Sequence, residues 1–242
     1  MEFTGKAVLV TGASSGIGER VAERFAELGA LVAVNSSTSR EAGEAVAARL
    51  GGIYCRADIA DDEAVRSMVD EVVAAFGRLD VVVNNAGTTR VIAHDDLDAV
   101  TDEVWNDILG VNVLGAWHVS RAAVPYLRRI ENGSIINVSS LAGLKVLGSS
   151  IPYAVSKAGL NHMTRLLART LGPDIRVNAV APGLVDTPWT AEWHDFRRLV
   201  GEITPMRRSA TPDDIAEACL YLARSTFVTG DVLVVDGGHH LA

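Results

Sequence analysis

Cysteine is scarce in this chain: 242 residues carry two, Cys55 and Cys219. They form no disulfide framework and no metal-ligand spacing; two cysteines leave a single disulfide open, but two buried thiols of a reducing compartment are the favoured reading. Basic charge is also in deficit. Lys and Arg number 22 against 30 Asp and Glu, a formal net charge of -8. That argues against nucleic acid or an anionic membrane as the main partner, since both reward a basic surface. No apolar run reaches bilayer length. The opening "MEFTGKAVLVTG" lacks the apolar core and cleavage site of a signal peptide. A cytoplasmic location is expected. No repeat, low-complexity block or Pro/Ser-rich linker divides the chain, so a single domain over 1–242 is expected. No His/Cys/Asp cluster has metal spacing, so no metal is expected.

What is present is a well-filled core, with 48% hydrophobic and 21% charged residues. Short β-rich runs alternate with amphipathic stretches. The runs begin at Ala7, Leu31, Gly52, Leu79, Ser134, Ile175 and Val232. Between the first two, Ile17, Val21, Phe25 and Leu28 mark one helix face. Near-continuous apolar strands alternating with such helices predict an α/β fold. Its form is a doubly wound Rossmann-type domain, a seven-stranded parallel sheet with helices on both faces. From Thr101 onward, Trp105, Leu109, Val113 and Trp117 keep helical spacing, which predicts one long helix. The stretch from about 188 to 210 reads as an inserted lid.

"VLVTGASSGIGERVAERF" is strand, glycine-rich turn, helix. Gly12, Gly16 and Gly18 leave the turn bare, so backbone N–H groups of Ser14, Ser15 and Ile17 and the positive helix end can meet a pyrophosphate. The spacing G-x-x-x-G-x-G differs from the G-x-G-x-x-G fingerprint, and a glycine turn alone can be purely structural. Directly after the first strand of a βαβ pattern it signals a dinucleotide. "TGASSGIG", then "NNAG" from Asn84, "NVSS" from Asn137, "YAVSK" from Tyr153 and "PGLVDTP" from Pro182 occur in order over essentially the whole chain. Together they resemble the classical short-chain dehydrogenase/reductase family. The resemblance leans toward its 3-oxoacyl-(acyl-carrier-protein) reductases, through the compact length and the ending "VTGDVLVVDGG".

An acid at the end of the second strand selects NAD and repels the phosphate of NADP. Ser36 occupies that place, followed by Ser37 and Thr38, with Arg40 able to meet a phosphate. NADP(H) is therefore favoured over NAD(H). Ser15, where many NADP-preferring relatives carry a base, points the other way. The same serines could simply open the next helix. The resemblance implies that Asp58 and Ile59 flank the adenine and that Asn85, Ala86 and Gly87 lie along the cofactor. It implies that Pro182, Gly183, Val185 and Thr187 hold the nicotinamide.

Tyr153 and Lys157 share a helix face at i and i+4, so both can meet one ligand. A phenol with a pKa near 10 needs help to exchange protons near neutrality, and an adjacent ammonium lowers that value. A lone Tyr-x-x-x-Lys is usually just surface. Here Ser139 and Ser140 end the fifth strand, where ligands sit in open α/β sheets. The family's spacing of thirteen selects Ser140. The resemblance gives Tyr153 the role of general acid/base, Lys157 that of tuning it and binding ribose, and Ser140 that of orienting the carbonyl. By the same resemblance Asn112 holds a relay water. Candidate substrate walls are His94, Leu144, Ile151 and the lid's Trp189 and Trp193. Phe196 and Val200 continue the lid stripe, which could equally pack on the body of the protein.

The expected activity is NAD(P)(H)-dependent hydride transfer between nicotinamide and a carbonyl or secondary alcohol, with ketone or 3-oxoacyl reduction foremost. An NAD-dependent alcohol, sugar or steroid dehydrogenase is the alternative. A nucleotide-sensing regulator is disfavoured because all four catalytic positions are filled. A small-molecule substrate is expected, and an acyl carrier protein could meet Arg128 and Arg129. By family analogy the chain forms a homo-oligomer, a tetramer through the long central helices and the C-terminal region.

Overall fold

The computed structural model describes residues 2–242. Each of the seven expected runs is a strand: β1 (Ala7–Val10), β2 (Leu31–Ser36), β3 (Ile53–Arg56), β4 (Val81–Asn84), β5 (Gly133–Val138), β6 (Ile175–Pro182) and β7 (Val232–Val235). All pair in parallel, in the order β3-β2-β1-β4-β5-β6-β7. The helices are α1 (Gly16–Glu27), α2 (Arg40–Leu50), α3 (Asp62–Phe76), α4 (Asp102–Leu109), α5 (Ala116–Leu127), α6 (Ile151–Leu171), α7 (His194–Ile203) and α8 (Pro212–Arg224). Successive strand residues leave opposite faces. Val8 and Val10 of β1 therefore enter one core, with Val21, Phe25, Val46 and Ile215 of α1, α2 and α8. Leu9 enters the other, with Val69, Val119 and Leu167 of α3, α5 and α6. Both faces are covered, which is why the strands are apolar throughout.

Cys219 lies in the first core and Cys55 in the second, with the sheet between them. Both are free and buried, and burial pushes both thiols up to about 12. Among the described residues no helix is long and apolar enough to cross a membrane.

The long helix after β4 departs from expectation. A π-helical segment, Gly110–Gly115, separates α4 from α5. The buried stripe runs through Ile108, Asn112, Gly115, Ala116 and Val119. Trp105, Leu109 and Val113 fall beside it, half-buried, and Trp117 is exposed. The wider turn turns a polar side chain, Asn112, inward beneath the β4 loop.

The strand order reverses between β1 and β4, and the chain ends there part to leave a crevice. α1 reaches this crevice because Gly18 carries no side chain: a Cβ there would lie 2.4 Å from both the Gly12 carbonyl oxygen and Asn85 Nδ2. Neither atom can retreat, since the Asn85 amide is itself bonded to the turn. Gly18→Ala is therefore expected to cost about 1–3 kcal/mol of stability by overpacking. Urea midpoints of the two proteins measure it; an unchanged midpoint contradicts the packing described.

Candidate active site

One cleft of about 1140 Å³ runs along the carboxyl ends of the strands. Its first wall is the β1–α1 turn. Gly12 and Gly16 both have φ +61, and a Cβ on Gly12 would approach Ala86 Cα to 2.8 Å. The Thr11 hydroxyl accepts the N–H groups of Asn85 and Ala86, each at 3.1 Å. The Asn85 amide donates back to the Thr11 and Gly12 carbonyls, each at 3.0 Å. Ser15, the N-cap of α1, makes no side-chain cap bond. The first N–H groups of α1 are thus uncapped at a bare turn, the arrangement that receives a phosphate. The cradle fits a dinucleotide pyrophosphate. Gly12, Ser14, Ser15, Gly16 and Ile17 line it, while Gly18 lies behind and acts through packing.

Ser36 to Ser39, with Asp58 and Ile59, line the cleft where the nucleotide end is expected. Ser36 is buried, its hydroxyl 2.9 Å from Tyr54 Oη and donating to the Ser39 carbonyl at 3.1 Å. Its hydrogen-bonding capacity is largely spent inside the protein, so Ser37, Thr38 and Ser39 carry the exposed hydroxyls there. Arg40 does not line the cleft. Its Nε donates to Glu44 at 2.8 Å, one helical turn along α2. Arg56, which the sequence did not single out, braces the same turn through a 3.1 Å bond to the Ser37 carbonyl.

At the opposite end, Ser150 caps α6, its hydroxyl accepting the Tyr153 N–H at 3.4 Å. Tyr153 and Lys157 stand one turn apart, both on the cleft. Lys157 is buried, and its Nζ donates to the Val138 carbonyl at 2.9 Å. Ser139 turns its hydroxyl to the Lys157 carbonyl at 3.2 Å, whereas Ser140 accepts the Ala142 N–H at 3.1 Å and faces the Tyr153 phenol. Burial pushes the Tyr153 phenol above its ordinary value, and hydrogen bonding to Ser140 pulls it partly back. The expected lowering by Lys157 does not appear. The ammonium lies 5.8 Å from the ring centroid, engaged with Val138. Burial pushes Lys157 itself down to about 8.

Asn112 is buried behind this group. Its Oδ1 accepts the Thr88 N–H at 2.8 Å, and its Nδ2 donates to the Thr88 carbonyl at 3.0 Å and to Ser156 Oγ at 2.9 Å. Both amide protons are taken, so a relay water has only the second lone pair of Oδ1. A Cβ on Gly87 would meet that oxygen at 3.3 Å and Lys157 Nζ at 3.6 Å. Asn112 thereby fixes the cleft wall beside Lys157.

The structure also redraws the substrate end. His94, Trp189 and Trp193 line it, but Leu144 and Ile151 do not. Leu144 follows a short 3-10 turn and is exposed. Ile151 opens α6 two residues before Tyr153, on a different helix face. Val91, Leu147 and Ser149 take their place, joined by a 2.6 Å contact between the Thr89 and Ser149 hydroxyls. Only pairing of two distant loops creates this wall, and no local pattern announces it. In the lid, Trp193 and Phe196 meet edge to face on the cleft, while Val200 is buried against the body. Arg197 holds the lid's entry through Asp186 at 2.6 Å and the Thr190 carbonyl at 3.1 Å. Pro182, Gly183, Val185 and Thr187 line the cleft between lid and cradle. Arg128 and Arg129 lie after α5, near the start of β5, at the opposite edge of the sheet from this chain's cleft. Arg128 pairs with Asp174 at 3.6 Å and Arg129 stacks on Tyr126.

A glycine cradle at the switch point of a parallel sheet, sharing one cleft with a serine, a tyrosine and a buried lysine, defines a nicotinamide-dinucleotide oxidoreductase. The chain belongs to the short-chain dehydrogenase/reductase family: a family model described as enoyl-(acyl carrier protein) reductase matches residues 12–240. It is 55% identical over 237 residues to a Streptomyces violaceoruber protein named as ketoacyl reductase 2 of the granaticin polyketide synthase, covering 96% of this chain and 95% of that one. It is 38% identical over 247 residues to the 3-oxoacyl-(acyl-carrier-protein) reductase of Thermotoga maritima, covering 98% and 99%. Among solved structures, a gluconate 5-dehydrogenase from Burkholderia cenocepacia, in complex with NADP and tartrate, superposes with a TM-score of 0.92. It is 30% identical, over 100% of this chain and 97% of that one.

The depressed Lys157 value has a stability consequence. Below pH 8 the lysine is charged in both folded and unfolded states, and the folded state carries the full cost of burying that charge. The shift from 10.5 to about 8 corresponds to roughly 3 kcal/mol. The cost fades as pH rises from about 8 to 10.5 and is absent above. Relative to wild type, Lys157→Met should therefore lose about 3 kcal/mol of stability between pH 7 and 10.5, whatever the constant loss of the Val138 bond. Chemical denaturation at pH 7, 9 and 10.5 checks this; a pH-independent difference refutes it.

Proposed function

We propose that this protein reduces the keto group of 3-oxoacyl thioesters with NADPH, the acyl group being delivered on an acyl carrier protein. The observation that carries this reading is the Ser140–Tyr153 pair. A phenol held above its ordinary pKa stays protonated near neutrality, and its hydroxyl partner stands on the same cleft wall. That is a proton donor beside a second donor, matched to an oxygen gaining negative charge. Bound nicotinamide supplies the hydride for such a reduction. Ser140 orients and polarises the substrate carbonyl, and Tyr153 gives its proton to the oxygen as charge builds. Lys157, with an ammonium that exchanges protons near pH 8, binds the ribose and restores the Tyr153 proton. Asn112 positions Thr88 and the loop beside that lysine.

Two neighbouring hydroxyl donors on one cleft wall support carbonyl reduction over the carbon–carbon double-bond reduction that the family model's description names. The named activities of the Streptomyces and Thermotoga relatives support the 3-oxoacyl class. NADPH is supported by the absence of a carboxylate among Ser36–Ser39 and by the NADP held by the Burkholderia structure. Self-association is supported by exposed apolar side chains on neighbouring helical segments, Leu114 and Trp117 with Val155 and Leu166.

NADPH oxidation followed by absorbance with acetoacetyl-CoA tests the chemistry. Tyr153→Phe is expected to lose about 100- to 10,000-fold in kcat, with NADPH affinity, read by fluorescence titration, within threefold. Wild-type turnover in that variant overturns the mechanism. Ser37→Asp is expected to move the NADPH/NADH ratio of kcat/KM at least about tenfold toward NADH, by charge repulsion of the phosphate. An unmoved ratio places the discrimination elsewhere.

A further inference from the structure

The last residues of the chain fold back onto the cleft. Asp236 is buried and accepts the Gly238 N–H at 2.9 Å, the His240 N–H at 2.7 Å and His240 Nδ1 at 2.9 Å. Gly237 and Gly238 take φ of +64 and +88, conformations that favour glycine. A Cβ on Gly237 would lie 2.9 Å from Thr204 Cγ2, and one on Gly238 would lie 2.8 Å from Pro205 Cγ. The turn is wedged against the end of the lid. It presents a single side chain to the cleft wall, that of His239.

His239 differs from the other histidines on this wall. His94 is exposed on a loop and His194 opens α7. His239 Nδ1 is sealed from solvent and has no hydrogen-bond partner. Among the described residues no group bonds its Nε2 either, and that atom is not sealed. A buried N–H without an acceptor is costly, more so than a bare lone pair in an apolar wall. The proton therefore belongs on Nε2, the accessible nitrogen. The ring is a donor carried on a backbone turn tied down by Asp236, and among the described residues nothing accepts from it. The reacting oxygen already has Ser140 and Tyr153, so a third donor in the cleft suits a different oxygen.

We propose that His239 is a specificity-determining residue that donates from Nε2 to a second acceptor oxygen of the substrate, so that the enzyme selects dicarbonyl compounds over simple ketones. The assignment rests on the carbonyl-reductase reading above and deepens it: a 3-oxoacyl thioester carries such a second carbonyl. It also gives the glycine turn and its Asp236 anchor a purpose, since both serve to hold the ring in place.

The test uses the full-length enzyme with saturating NADPH and three ketones: acetoacetyl-CoA, pentane-2,4-dione and pentan-2-one. The last two differ by one oxygen. His239→Phe keeps a ring and removes the donor; His239→Gln returns an N–H near the Nε2 position. His239→Phe should lower kcat/KM for both dicarbonyls about tenfold, mainly through KM, and leave pentan-2-one within twofold. His239→Gln should recover most of the loss. Thermal midpoints of the variants confirm folding. Equal losses on pentane-2,4-dione and pentan-2-one, no loss on either, or a Gln variant no better than Phe overturns the assignment. A wild-type enzyme that reduces pentane-2,4-dione but not acetoacetyl-CoA overturns the thioester reading instead, and His239 is then judged on the remaining pair. Inactivity on all three overturns both.

Discussion

Two strand ends that ought to diverge are tied together by one reciprocal set of hydrogen bonds, and the site depends on that knot. β1 and β4 are neighbours at the switch point, and the chain leaves them toward helices on opposite faces of the sheet. Thr11 accepts from Asn85 and Ala86 while Asn85 donates to Thr11 and Gly12. The side chain of each strand end satisfies the backbone of the other. Gly12 and Gly18 are what let the two loops close to bonding distance. The crevice is then stiff enough to offer uncapped N–H groups without collapsing onto them. The phosphate recognition proposed for this turn is a property of backbone held open, with side chains acting mainly as struts.

The proton delivery proposed above rests on a different constraint, the burial of Lys157. An ammonium held in the protein interior is expensive, and its depressed value of about 8 measures the expense. Its ammonium donates to the Val138 carbonyl, which fixes the side chain at the end of β5. The same burial keeps Tyr153 protonated. Desolvation thus shifts the two groups in opposite directions, the phenol up from its ordinary value and the ammonium down to about 8, and so sets their values apart. A phenol that holds its proton and an amine that gives one up readily make an acid with a reservoir beside it. The polar wall behind them, Asn112 and Thr88, rests on a π-helical segment that would otherwise have left that asparagine on another face.

Legibility in the sequence followed the range of the interactions involved. The strands, the cradle and the Tyr153–Lys157 face were readable because each depends on neighbours within a turn or two of chain. The seven apolar runs could be placed from period alone. Ser140 could be preferred to Ser139 only by resemblance, and the structure shows the local difference: Ser139 spends its hydroxyl on the Lys157 backbone carbonyl, whereas Ser140 faces the Tyr153 phenol. Arg40 looked free in the sequence, yet an i,i+4 glutamate takes it, a pairing that helix spacing alone could have flagged. Ser36 looked available, but Tyr54, on the adjacent strand, occupies its hydroxyl. The register that pairs Ser36 with Arg56 and Asn35 with Cys55 is invisible until the sheet is assembled.

The substrate end was least legible, and the reason is architectural. It is built from four segments far apart in sequence: the loop after β4, the loop before α6, the lid and the chain's last turn. None has a period, and each owes its position to the others. Leu144 and Ile151 flank the right residues in sequence and face away, while Leu147 and Ser149 between them face in. A family that keeps its cradle and its proton donor in short-range motifs, and its substrate wall in long-range loop contacts, can change substrate without disturbing chemistry. The His239 turn belongs to this second category. Its shape is set by Asp236 at the end of β7 and by steric fit against Thr204 and Pro205 of the lid, so a change in either would move the ring. Lid and tail are then one specificity element, and a substitution at Thr204, which is buried, acts on substrate choice through His239.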